Sequence, residues 1–60
     1  MDFKHLEIHL IGSDKIIETD SCQNVYEQIE KNGNHFVMVP GTDKINYSIN
    51  KNAISYVIRS

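Results

Sequence analysis

The chain has 60 residues, a formal net charge of −2 and a single cysteine. A length of this order makes one domain, residues 1–60, which hides only about 60% of the surface its unfolded form exposes. One cysteine excludes an internal disulfide, and no apolar run approaches the ~20 residues that span a bilayer, so added stability is expected from a second copy rather than from a staple or a membrane.

The first strand is predicted from about Phe3 to Ile11, with Leu6, Ile8 and Leu10 on one face and His5, Glu7 and His9 on the other. Gly12-Ser13-Asp14 reads as a hairpin turn into a short second strand, Lys15 to Thr19, in which Ile16 and Ile17 point to opposite faces. The segment Asp20 to Gly33 carries the one clear helical pattern. Cys22, Val25, Tyr26 and Ile29 fall at i, i+3, i+4 and i+7 and share one side. Asp20 or Ser21 is expected to cap the first turn, with Asp20 and Gln23 at capping-box spacing. Gly33 is expected just past the helix end, and Lys31 near its negative pole.

His35 to Val39 forms the third predicted strand, apolar on both faces: Phe36 and Met38 on one, Val37 and Val39 on the other. Pro40-Gly41-Thr42-Asp43 is a strong turn signal. Ile45, Tyr47 and Ile49 alternate with Asn46 and Ser48 in a fourth strand. Asn50-Lys51-Asn52 is a tight connection, and Ala53 to Ile58 a fifth strand, with Ile54, Tyr56 and Ile58 on one face and Val57 on the other. The predicted fold is therefore α+β, in the order β-β-α-β-β-β, with a small, mostly antiparallel sheet and one helix packed on one face.

A helix of ~12 residues, about 18 Å long, covers one face of such a sheet and not two. Val37, Val39, Val57 and Ile17 are expected to face away from the side that holds Phe36 and Met38, and a contiguous apolar strip usually marks an interface. Two arrangements answer this surplus. The sheet curls into a small barrel, or the strip meets another copy of the chain. The expectation is a homo-oligomer.

Charge is unevenly placed. Residues 1–30 carry two lysines against seven carboxylates, and residues 31–60 four cations against one. A basic second half suits an anion such as RNA, or the acidic half of a neighbouring copy. Lys44, Lys51, Asn52 and Arg59 are the candidates for a ligand- or nucleic-acid-facing rim.

Little points to catalysis. His5, Glu7 and His9 are the weak candidates for a metal site. However, the outer pair of a straight strand is ~13 Å apart, too far for one ion with ~2 Å bonds, so the reading is no metal and no cofactor. Cys22 lies in the first helical turn on the apolar stripe, where packing explains a small hydrophobe. Tyr26, Tyr47 and Tyr56 all fall on apolar stripes. No nucleophile elbow or glycine-rich phosphate loop is present.

A lone cysteine without a secretory signal suggests a reducing, cytoplasmic setting: Asp2, Lys4, His5, Glu7 and His9 break every early apolar run. Nine Ile and six Asn hint at a bacterial or phage genome rich in A and T.

The tail Ile49-Asn50-Lys51-Asn52-Ala53-Ile54-Ser55-Tyr56-Val57 resembles the second Sm motif of Hfq-type RNA-binding proteins, which reads roughly Tyr-Lys-His-Ala-Ile-Ser before a final strand. Lys51, Ala53, Ile54 and Ser55 match, whereas Asn50 stands for the Tyr and Asn52 for the His. The family's helix-then-strand opening is similar to Val25 through Val39. The resemblance implies a strongly bent sheet that assembles in a ring through its edges, with Lys51 and Asn52 near a ligand-facing rim. Here a β-hairpin precedes the helix and the motif His is absent. The residues themselves favour a non-enzymatic binding module that self-assembles and takes a protein or small-ligand partner. A nucleic-acid-binding small barrel is the alternative.

Overall fold

The computed structural model describes residues 3–60. The predicted order holds: β1 (Leu6–Leu10), β2 (Ile16–Thr19), α1 (Cys22–Glu30), β3 (Phe36–Pro40), β4 (Asn46–Asn50), a 3-10 turn (Lys51–Ala53) and β5 (Ile54–Arg59). All strand pairings among the described residues are antiparallel. The strands form two ladders, β2-β1-β5 and β3-β4, and do not close into a barrel.

β1 organises the first ladder. Its inward residues, Leu6 and Ile8, are fully buried. Directly opposite residues of an antiparallel pair share a face, so Ile17 and Val57, which flank Ile8, also turn inward. The register shifts between His9 and Leu10, which pairs with Ile54 and skips Ser55; this bulge turns Ile54 towards the core as well. Gly12 turns the β1-β2 hairpin at φ 72°, where a side chain would be strained.

In β4 only one face is apolar, with Tyr47 and Ile49. Across the ladder they meet Val39 and Val37. The core is consequently shared by three elements: Leu6, Ile8 and Ile17 from the first ladder, Cys22 and Val25 from α1, and Val37, Val39 and Ile49 from the second. Full burial of each such side chain contributes about 1.5–3 kcal/mol.

This packing corrects the expected strip. Val37, Val39 and Ile17 lie in the core of the single chain, and Val57 is half-buried against it. Phe36 and Met38, expected on the covered side, are each 56% exposed. The single apolar face of β4 explains the reversal. Pairing carries Val37 and Val39 to that face and leaves Phe36, Met38 and Pro40 opposite Asn50, Ser48 and Asn46.

The helix is shorter than expected, nine residues, and its ends differ. Ser21 is the N-cap but makes no side-chain capping bond, and Asp20 is drawn away to His5. The turn into α1 is held instead by Thr19, a fully buried hydroxyl. Thr19 Oγ1 accepts from the Ser21 N–H at 3.1 Å and donates to the Pro40 carbonyl at 2.8 Å. The Thr42 N–H adds a bond to the Glu18 carbonyl at 2.9 Å, so both bonds tie β2 to the β3-β4 hairpin. At the other end the chain leaves the helix at Lys31 in extended conformation. Gly33, at φ 91°, turns the following loop rather than ending the helix.

Candidate functional site

The outward face of the β2-β1-β5 ladder collects most of the residues singled out for chemistry. Two rows cross all three strands: Ile16, His9 and Tyr56 in one, Glu18, Glu7 and Ile58 in the next. Alternation along β1 places His5 beyond Glu7 on the same face, beside Asp20 at the end of β2. Ile16, Tyr56 and Ile58 are 45%, 54% and 42% exposed. The face therefore has an apolar end and a charged end.

At the apolar end the His9 ring stacks on Tyr56, with centroids 4.3 Å apart and planes 12° from parallel. This face-on contact lies across the β1-β5 pairing, beside the bulge. The His9 Nε2 atom is shielded from solvent and has no hydrogen-bond partner among the described residues.

At the charged end His5 lies between two carboxylates. Its Nδ1 is 2.7 Å from Asp20 Oδ1 and its Nε2 3.0 Å from Glu18 Oε1. These bonds, Asp20 first and Glu18 second, raise the imidazole pKa above its ordinary 6.5. The two ring nitrogens point in opposite directions, so the three groups do not converge on one ion. No set of three or more potential metal ligands gathers among the described residues.

The proposed rim residues are not brought together. Lys44 occupies the β3-β4 turn with φ 68°, and Lys51 follows the far end of β4, five strand residues or about 17 Å away. Lys51 Nζ donates to the Lys31 carbonyl at 2.6 Å, which neutralises the open end of α1. Asn50 Oδ1 accepts from the Asn52 N–H at 2.9 Å and shapes the turn before β5. The Arg59 guanidinium lies over Phe3 and Tyr26, at 5.4 and 5.9 Å from their ring centroids.

Cys22 is buried among core residues, as its stripe position suggested. Tyr26 packs against Phe3, and Tyr47 is half-buried, donating its hydroxyl to Asp43 Oδ2 at 2.5 Å. The one cluster that sequence reasoning missed is His5 with Glu18 and Asp20. It depends on the hairpin register, which sets Leu6 opposite Thr19 and so brings His5 beside Asp20. No pocket opens among the described residues, and no helix is long and apolar enough to cross a membrane. Comparison with protein-family models, curated proteins and solved structures finds no match to this chain.

Proposed function

We propose that the protein is a small interaction module that works by association, and that copies meet through the outward face of the β2-β1-β5 ladder. The observation that carries this reading is the exposure of Ile16 on β2 and of Tyr56 and Ile58 on β5, all on one outward face, with the His9 ring of β1 stacked on Tyr56 between them. Scattered exposed apolar residues need no explanation, but three on one sheet face, around the stacked rings of His9 and Tyr56, leave a surface that water covers poorly. β5 is an edge strand of that ladder, with an unpaired backbone row beside Tyr56 and Ile58, a feature that invites a further strand. A protein or small-ligand partner would then be met by the assembled form. A nucleic-acid reading draws less support, because Lys51 and Arg59 are engaged within the chain and Lys44 lies apart from both.

Sedimentation equilibrium of the intact chain tests the reading. A concentration-dependent mass above that of one chain is expected at micromolar concentration. Tyr56→Glu with Ile58→Lys should return the chain to a monomer, and Phe36→Lys, on the other ladder, should not. A monomer at all accessible concentrations overturns the proposal. Salt-sensitive retention of oligonucleotides by the monomer would point to the nucleic-acid alternative.

A further inference from the structure

The charged end of the same ladder carries an inference independent of self-association. We propose that His5 is a proton-operated clip, which holds the end of β2 and the entry to α1 against the start of β1 only while the imidazole is doubly protonated. The geometry requires that form. Ionised carboxylates accept hydrogen bonds and cannot donate them, and a neutral imidazole has a single N–H. With Asp20 at 2.7 Å from Nδ1 and Glu18 at 3.0 Å from Nε2, both nitrogens must donate. Loss of one proton leaves a lone pair aimed at a carboxylate and releases one of the two strand-to-strand ties.

The position of the clip determines what it controls. Glu18 and Asp20 flank Thr19, whose hydroxyl holds the Ser21 N–H, and Ser21 is the N-cap that lacks a side-chain bond of its own. The entry to α1 thus has two ties beside it, a buried one at Thr19 and a surface one from His5 at the start of β1. The other groups around His5 do not substitute for either carboxylate. Glu7 and His9 lie further along the same face of β1. Lys4 and Ser60 meet in a backbone hydrogen bond, and Ser60 also bonds the His5 backbone. From β5, Arg59 sits over Phe3 and Tyr26.

The test is an NMR titration of the intact chain between about pH 5 and pH 9, reading the His5 ring together with hydrogen-exchange protection at two amides. These are Ser21, bonded to Thr19 Oγ1, and Val25, bonded to the Ser21 carbonyl. The His5 midpoint should lie above 6.5, and protection at both amides should fall as the pH rises through it. Asp20→Asn and Glu18→Gln, both at exposed positions, should each lower the midpoint, Asp20→Asn the more. His5→Gln should abolish the pH-dependent step in protection. A midpoint at or below 6.5, or protection that stays constant across it, overturns the proposal. Exchange protection separates a loosened helix entry from a mere field effect of the charge, which would move chemical shifts alone.

Discussion

The side-chain amide of Gln28 docks on the backbone of Met38 as a neighbouring strand would. Its Oε1 accepts from the Met38 N–H at 2.9 Å and its Nε2 donates to the Met38 carbonyl at 3.1 Å. One residue of α1 thus closes the edge of β3 that β4 leaves open. Thr19 does the same one step along, taking the Pro40 carbonyl. An unpaired strand edge recruits other strands, and side-chain pairing is one way a small fold blunts it.

Gln28→Ala should leave both Met38 groups without a partner. Two exposed hydrogen bonds, each worth at most about 0.5–1.5 kcal/mol net, are lost to water, so urea unfolding should show a destabilisation of about 1 kcal/mol. The same variant should aggregate more readily on heating, read by light scattering. Gln28→Glu keeps the acceptor but sets a carboxylate against the Met38 carbonyl, and should not restore the wild-type midpoint.

Thr19→Val preserves shape and removes the hydroxyl that serves both Pro40 and Ser21. Burial of this site is complete, so the orphaned groups cannot turn fully to water. A loss of about 1–3 kcal/mol is expected in chemical unfolding. Thr19→Ser, which keeps the oxygen, should recover much of it.

The two faces of β3 should respond in opposite ways to truncation. Val37→Ala opens space in a closely packed core and should cost about 1–3 kcal/mol. Phe36→Ser removes a larger side chain from an exposed site and should change stability by about 0.5 kcal/mol or less. Thermal melts of the two variants side by side check which face is inside.

Gly41→Ala should weaken the β3-β4 hairpin for steric reasons. A Cβ there would stand 2.9 Å from both the Ile45 carbonyl oxygen and Tyr47 Cε2, and 2.5 Å from Asp43 Oδ1. The turn must open to admit it, at about 1–3 kcal/mol. The ring current of Tyr47 on its neighbours, read by NMR, should change with it.

Stability should form a plateau in pH with separate causes for its two limbs. The Tyr47 hydroxyl, then the Ile45 N–H, hold the Asp43 carboxyl below its ordinary 3.8. A depressed carboxyl contributes stability above 3.8 that is lost as pH falls through its folded value. The raised imidazole of His5 acts in the opposite sense. Its contribution is complete below 6.5 and disappears as pH rises through the folded value. Urea midpoints across pH should therefore be highest between these limits. Asp43→Asn should flatten the acid limb and His5→Gln the alkaline one. Both groups are at the surface, so the limbs should be shallow and should shrink in high salt.

The chain's alternations and turn residues were enough to specify the elements and their order, because these depend on neighbours within a few positions. Leu6 with Ile8 and Tyr47 with Ile49 needed only the period of two, and Cys22 with Val25 only the helical period. Which side of an ambiguous strand is covered was a different kind of question. Phe36-Val37-Met38-Val39 offers two apolar faces, and the one with Phe36 and Met38, expected to be covered, is the exposed one. The tertiary structure decided it through register: β4 has one apolar face, and pairing carried Val37 and Val39 to it. By the same rule β1 drew Ile17 and Val57 inward and left Ile16, Tyr56 and Ile58 outside. The His5 cluster and the Gln28 tie likewise join residues 10 to 15 positions apart. Such contacts exist only once strand pairing and helix docking have set the distances, so no local pattern could state them.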